Sequence, residues 1–352
     1  MIVIDGSFGE GGGQILRTSI GLAAALGVPV KIFNIRARRK NPGLQRQHMT
    51  AVRVLAEITR ARVEGLYLGS KELLFEPRTL KGGRYRFDIG TAGSVTLVIQ
   101  ALLPVVPFVP EPIEIEIRGG TDVPWSPPVD YVRYVLIPLL KRMGYRIELE
   151  VLRRGHYPRG GGIVVFRAEP SGRLNAIDLV NRGEVFRIRG VSHAVKLPKH
   201  VAERQANAAK EVLQRKLSVP IEISIEWYPP DRDPHLGPGS GITLVAECSD
   251  SLIGADALGE RGKRAEDVGR EAAKELVEEI DSGAALDKHM GDMIIVPAAL
   301  ACGTSVFTSS KLTMHAYTVV ELVKKFVNAD IRIDGEIDKP FAARITGVCL
   351  EK

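Results

Sequence analysis

His315 lies in the run Thr308-Ser-Ser-Lys-Leu-Thr-Met-His315-Ala-Tyr-Thr318. A neutral imidazole can serve as a nucleophile, a base or a metal ligand. From Lys311 to His315 the residues alternate, Leu312 and Met314 to one side and Lys311, Thr313 and His315 to the other. That spacing predicts a strand with a cation and a hydroxyl on the histidine's face. After Ala316 the apolar residues Val319, Val320, Leu322, Val323 and Phe326 predict a helix. His315 is thus expected at a strand-to-helix junction, a position where α/β enzymes place chemistry. A lone histidine there is more often a structural one, so its neighbours in the fold must decide.

Four other blocks carry groups that chemistry could use. In Asp5-Gly-Ser-Phe-Gly-Glu10-Gly-Gly-Gly-Gln14-Ile-Leu-Arg17, glycines open a helix whose N–H groups would favour phosphate. Gln14 and Arg17 share a face there, and Glu10 beside phosphate-seeking groups is a candidate Mg²⁺ ligand. The spacing matches neither the Walker nor the dinucleotide fingerprint, and a plain β-α turn with solvated charges remains the alternative. In Arg36-Ala-Arg38-Arg39-Lys40-Asn-Pro-Gly-Leu-Gln45-Arg46-Gln47-His48, five cations precede or open a helix. Arginine suits bidentate phosphate recognition, and an exposed solubilising loop is the plainer reading. The third block, Gly90 to Gln100, puts a polar Gln100 in an apolar helix, either satisfied in the core or facing a pocket. In the fourth, Asp287-Lys-His289-Met-Gly-Asp292-Met293, Asp292 is expected either to cap the following helix or to contact a ligand. A smaller cluster, Arg153, Arg154 and Arg159, surrounds a glycine turn and reads as a second place for an anion.

Positioning these groups requires alternating strands and helices. Strands are expected at 2–5, 30–35, 85–89, 113–118, 146–152, 162–167 and 305–308, and helices at 14–26, 44–59, 94–103, 128–142 and 293–301. The pattern reads as three β-α-β-α-β-β-like cycles of roughly eighty residues in an α+β chain. Residues 183–282 interrupt the third cycle with a β-α-β-β-α block bounded by glycine turns, so the expected division is 1–182 with 283–352, and 183–282 as an inserted small α/β domain.

The 352 residues are 45% hydrophobic, with mean hydropathy +0.02, net charge +6 and pI about 9.2. These values indicate a folded chain with a sizeable core, and clustered cations point to an anionic partner such as nucleic acid or a phosphorylated small molecule. The longest apolar run, 99–109, is too short and too proline-broken to span a bilayer. No secretory signal is visible at Met1–Gly6. Cys248, Cys302 and Cys349 show no metal spacing and no disulfide framework, so a cytoplasmic location is expected.

Taken together these blocks resemble the RNA 3′-terminal phosphate cyclase family, over essentially the whole chain. The resemblance rests on Gly9-Glu10-Gly-Gly-Gly-Gln14-Ile-Leu-Arg17, Arg36-x-x-Arg39-x-x-Pro-Gly-Leu-x-x-Gln47-His48, Gly119-Gly-Thr-Asp122, Tyr157-Pro-x-Gly-Gly-Gly162, His289-x-x-Asp292 and the His315 segment. It implies a domain of three repeats like the C-terminal domain of a bacterial translation initiation factor, with a thioredoxin-like insert. It also implies ATP as co-substrate, Mg²⁺ or Mn²⁺, and RNA with a 3′-terminal phosphate as partner. His315 would attack the ATP α-phosphorus to give a covalent AMP-histidine. AMP would pass to the RNA 3′-phosphate, and the 2′-hydroxyl would close a 2′,3′-cyclic phosphate. In that scheme Glu10 binds the metal, and Gln100, His289, Met290, Gly291, Asp292, Met293 and Arg17 line the ATP pocket. Arg36, Arg39, Gln47 and Gln14 hold phosphates or the RNA end. Met293 stands where many members carry Gln and removes a polar contact. Two alternatives share the architecture: a non-catalytic cyclase-like ribosome-assembly factor, which loses the histidine, and an enolpyruvyl-type transferase, which gives no reason for it.

Overall fold

A computed structural model describes residues 1–352. Four four-stranded sheets make up a mixed α+β architecture. In the first, β1 (Ile2–Asp5), β2 (Val30–Phe33), β3 (Arg62–Glu64) and β4 (Leu73–Glu76) lie in the order β1-β2-β4-β3, with α1 (Gly13–Leu26) and α2 (Arg46–Thr59) between its strands. The second contains β5 (Gly83–Asp88), β6 (Ile113–Gly119), β7 (Arg146–Arg153) and β8 (Gly162–Glu169), in the order β5-β6-β8-β7. Its helices are α3 (Val95–Leu102), α4 (Val129–Tyr131) and α5 (Ile137–Arg142), the last two joined by a π-helical segment, Val132–Leu136.

The third sheet draws its first strand, β9 (Asp178–Leu179), from far upstream of the others. Between lie β10 (Val185–Val195), α6 (Lys199–Gln214), β11 (Ile221–Trp227), β12 (Gly239–Cys248), β13 (Leu252–Leu258) and α7 (Ala265–Asp281), whose strands form a separate sheet in the order β11-β10-β12-β13. Then follow α8 (Lys288–Met293), α9 (Ile295–Leu300), β14 (Thr304–Ser309), α10 (Met314–Phe326), β15 (Asp330–Gly335) and β16 (Phe341–Thr346). β9 pairs parallel with β14, and β16 lies antiparallel between β14 and β15. The first, second and third sheets therefore share one arrangement: first strand, second, fourth, third, with only the first pair parallel.

Alternation explains how each sheet lies. In β6 Ile113, Ile115 and Ile117 are buried while Glu114, Glu116 and Arg118 face outward. The outward charges pair across strands, Glu114 with Arg167 at 2.8 Å and Glu116 with Arg86 at 3.0 Å, so one face is wet and the other packs helices. The inner faces enclose a core of 72 buried residues, and a second core of 16 lies between β10, β12, β13 and helices α6 and α7. Strand β12 is buried nearly throughout, because its other face presses on the rest of the chain; Val245 joins the larger core. No helix is long and apolar enough to cross a membrane.

Several expectations change. The segment 311–313 is a loop, and His315 is the second residue of helix α10, capped by Thr313, whose hydroxyl accepts from Ala316 N at 2.9 Å. The 183–282 block contains one strand more than expected, β13, whose Gly254 accommodates the Tyr131 ring. The 128–142 helix is interrupted by the π segment. Cys302 and Cys349 form a disulfide, contrary to the expectation of none, because β-sheet pairing at the Thr304–Thr346 end brings the two residues together.

Candidate active site

The glycine-rich turn after β1 exists to let three helix starts approach one another. Gly9 adopts φ +53°, a left-handed conformation, and Thr318 of α10 packs where its side chain would be. Gly13, the first residue of α1, lies against the ring of His48 and the guanidinium of Arg17, leaving no room for a Cβ. Thr318 Oγ1 also accepts from Glu10 N at 3.3 Å. Glu10 is thereby held between the N-termini of α1 and α10. Helix α1 has Gly12 at its cap with no side-chain cap bond and no acidic residue in its first turn, so its terminal N–H groups and dipole favour an anion.

His315 projects into this space. Its Nδ1 makes a short contact with Gln14 Oε1. A carbonyl oxygen only accepts, so Nδ1 carries the proton and Nε2 keeps its lone pair in the neutral ring. Nε2 lies 3.2 Å from Glu10 Oε2, and the other carboxylate oxygen forms an ion pair with Arg39. Partial desolvation of the half-exposed ring, with Arg17, Arg39 and His289 adding repulsion, pushes the His315 imidazolium pKa down to about 4. The ring is therefore neutral throughout the physiological range, as a nucleophile requires. At pH 5.5 an ordinary imidazole is roughly 10% neutral, whereas one with a pKa near 4 is roughly 97% neutral. An NMR titration of the His315 ring protons is expected to show a midpoint below pH 5; a midpoint at or above 6.5 would contradict this electrostatic picture.

Arg17 sits behind the histidine. Burial lowers its pKa to about 10, against the attraction of Asp292. Asp292 in turn is pushed up to about 8 by burial and by Asp287, with Arg17 opposing, so at pH 7 it is mostly a protonated acid that can donate a hydrogen bond. His48, buried beneath Gly13, accepts from Gln45 N at 3.2 Å and completes a capping box at the start of α2. Burial, then Arg17 and Arg36, hold its pKa well below the usual histidine range.

The sequence-derived residues divide into those that meet and those that do not. His315, Glu10, Gln14 and Arg39 are in direct contact, Arg17 and His289 act on His315 electrostatically, and Asp292 acts on Arg17. Gln100 Nε2 donates to Met293 Sδ at 3.0 Å, so Met293 keeps a polar contact that its residue type had seemed to forfeit. Gln47 Oε1 accepts from Ser94 N at 3.0 Å, tying α2 to the 90–94 turn. Arg36 donates to the Asn41 and Gly43 carbonyls and so braces its own loop. Met290 is buried in the larger core and Gly291 packs against Ser309, so neither presents a side chain to the pocket.

Asp292 lies within α8 and does not cap the helix that follows, since the cap position of α9 is Ile294, with no side-chain cap bond; Asp287 caps α8, accepting from His289 N and Met290 N. It also accepts from Tyr131 at 2.6 Å and from Gly254 N at 2.9 Å, fixing α8 against α4 and β13. His289 is half-exposed, packs edge-on to Tyr131, and lies 4.0 Å from Glu275 of α7. Tyr131, Glu275 and Thr318 escaped sequence reasoning; Thr313, read as a hydroxyl on the histidine's strand face, is instead the cap of α10, a role its place before a periodic apolar run would have signalled. Arg153, Arg154 and Arg159 do not present one shared cationic cluster. Arg154 is buried in ion pairs with Asp122, Asp130 and Glu226, and Arg153 donates to Gly161 O.

Whether a divalent cation fits at Glu10 can be judged from its free oxygen. Glu10 Oε2 is buried with no hydrogen-bond partner, and it faces the lone pair of His315 Nε2. A single hard carboxylate oxygen beside an anion-attracting pocket is the donor that Mg²⁺ or Mn²⁺ shares with phosphate. The residues fit such an ion.

A family model described as RNA 3′-terminal phosphate cyclase matches residues 8–333. The protein of that name from Ignicoccus hospitalis is 59% identical over 353 aligned positions, covering all of both chains. Those of Hyperthermus butylicus and Methanopyrus kandleri are 58% and 55% identical, covering 99% and 98% of each chain.

Proposed function

The chain belongs to the RNA 3′-terminal phosphate cyclase family, and from that premise we propose that it converts an RNA 3′-terminal phosphate to a 2′,3′-cyclic phosphodiester at the expense of ATP. The observation that carries this reading is the imidazole of His315. It is held neutral, its Nδ1 proton engaged by Gln14, and its Nε2 turned toward Glu10 and two converging helix N-termini.

In the first step His315 Nε2 attacks the α-phosphorus of ATP; a P–N bond forms and pyrophosphate leaves. Gln14 holds the Nδ1–H, so the ring bears the positive charge of the phosphoramidate without losing its orientation. An oxygen of the RNA 3′-phosphate then attacks the AMP phosphorus, breaking the P–N bond and returning the neutral imidazole. Finally the 2′-hydroxyl attacks the RNA phosphorus, losing its proton to solvent, and AMP departs as the leaving group. Arg17, Arg39 and the N–H groups opening α1 and α10 stabilise the charge that builds on phosphoryl oxygens. Protonated Asp292 would donate to a nucleotide acceptor, and Gln100 and His289 would border the base and ribose. Mg²⁺ or Mn²⁺ held by Glu10 would neutralise phosphate charge when bound.

The same reading assigns residues 1–182 and 283–352 to three repeated units like the C-terminal domain of a bacterial translation initiation factor, and 183–282 to a thioredoxin-like insert. The shared strand order of three sheets and the separate smaller core support that division.

Incubation with ATP, Mg²⁺ and a short RNA ending in a 3′-phosphate tests the function. The expected product is an RNA end resistant to phosphomonoesterase, with one AMP and one pyrophosphate released per end. An RNA whose terminal phosphate stays fully phosphatase-sensitive after prolonged incubation would refute the proposal.

A further inference from the structure

At the seam between the second sheet and the β10–β13 sheet, side chains from three distant parts of the chain converge. Asp122 follows β6, His156 follows β7, and His193 lies on β10. All three are buried, and Asp122 and His156 are joined by an isolated parallel bridge. Their ligand atoms lie within 4.8 Å of one another, and the two Nε2 atoms are 2.9 Å apart. We propose that Asp122, His156 and His193 form a binding site for a divalent transition-metal ion of the zinc class, separate from the Glu10 site.

The donor set is the first reason. Two imidazole nitrogens and one carboxylate oxygen are the combination that Zn²⁺, Co²⁺ and Ni²⁺ take, with bonds of about 2.0–2.2 Å that small side-chain rotations could reach from here. Asp122 has an oxygen to give. Its Oδ2 accepts from Thr121 at 2.6 Å and from Arg154 at 3.3 Å, while Oδ1 accepts only one bond, from Arg154 at 3.2 Å. The second reason is space. A Cβ at Gly239 would overlap the His156 ring, and one at Gly241 would sit 2.9 Å from His193 Cε1. Strand β12 gives up both side chains to admit the two rings.

The third reason is charge. Arg154 faces Asp122, Asp130 and Glu226, and Arg133, 3.3 Å from Asp130, is the second cation of the network. Formally ionised, that set carries one negative charge in excess. Such a site attracts a divalent cation. The ion's role would be to fix the β10–β13 sheet against the second sheet, away from the reacting phosphates.

Co²⁺ serves as the probe because its ligand-field bands report coordination. The full-length protein, stripped with chelator and dialysed, is titrated with Co²⁺ alone. The expected result is one equivalent bound with the visible spectrum of a low-coordinate nitrogen–oxygen site. His193→Ala and Asp122→Asn should each weaken binding at least roughly tenfold. Glu10→Gln should leave it unchanged. Zn²⁺ should raise the Tm of the wild type but not of His193→Ala. If His193→Ala fails to fold by circular dichroism, His193→Gln, which keeps a polar side chain of similar length, takes its place. Absence of a stoichiometric Co²⁺ spectrum in the wild type would overturn the proposal. So would binding by the His193 variant as tight as by the wild type, or loss of binding in Glu10→Gln.

Discussion

Replacing His315 by alanine is expected to abolish the covalent AMP adduct that the wild type forms with α-labelled ATP. Alanine offers no lone pair, and no other imidazole can reach the same point: His48 is buried beneath Gly13 with its Nδ1 occupied, and His289 is turned toward Tyr131 and Glu275. A fall of at least roughly 10⁴-fold in the rate of adduct formation corresponds to about 5.4 kcal/mol of lost transition-state stabilisation. The fold should survive, since the ring is half-exposed and its one side-chain hydrogen bond, to Gln14, is at the pocket surface. The wild-type adduct should be released by acid and spared by alkali, as a P–N bond requires. His289→Ala should still label. Undiminished labelling of folded His315→Ala would remove this residue from the chemistry. Supplied with RNA already carrying the 3′-terminal adenylyl pyrophosphate, His315→Ala should still close the cyclic phosphate, because that step needs positioning and phosphate neutralisation only.

The largest stability effect is expected at Arg154. Its guanidinium donates to Asp122 at 3.2 and 3.3 Å, to Asp130 at 2.6 Å and to Glu226 at 2.6 and 2.8 Å, and it is only 2% exposed. Arg154→Ala would leave three carboxylates with only Arg133, 3.3 Å from Asp130, as counter-charge, a cost of about 3–5 kcal/mol at pH 7. The pH dependence follows. Without the arginine, the folded-state pKa of these acids rises above the unfolded value, so the variant binds protons on folding. Its deficit relative to wild type should therefore shrink as pH falls from 7 toward 4. Urea unfolding of both proteins at pH 7 and pH 5 measures this. A deficit below about 1 kcal/mol at pH 7, the size of an exposed pair, would mean the network is solvated.

These two residues also mark what a sequence can and cannot show. His315 stood out because its flanking motifs are long and ordered, and the alternation in β6 or the apolar spacing in α1 is a local property that needs no partner. Its helical context was misread because Lys311 to His315 alternates over five residues, too few to separate a strand from a loop that ends in a Thr cap. Arg154 looked like one of three surface cations, since nothing near it in sequence announces Asp122, Asp130 and Glu226. Strand β13, with Gly254 and Asp256 in its middle, has weak strand propensity; it is made a strand by pairing with β12 and by the Tyr131 ring filling the space at Gly254. The Asp287 cap was hidden for the same reason, because Tyr131 and Gly254, which make it a hub, lie far away in the chain.

The two-residue strand β9 has a consequence for how the chain is made. Its neighbours Ile177 and Val180 bond to Ser305 and Thr308, each 128 positions downstream. On a ribosome adding roughly 5–20 residues per second, the partner of β9 emerges some 6–26 s after it. During that interval the β10–β13 sheet and its helices, whose contacts lie between residues 185 and 281, can close on themselves. The third sheet cannot. The pocket needs α10 beside α1, so His315 reaches its place only after α10 has been released from the ribosome. On the proposed chemistry, a product stalled before α10 holds the phosphate-seeking loops without His315 and forms no covalent adduct with nucleotide.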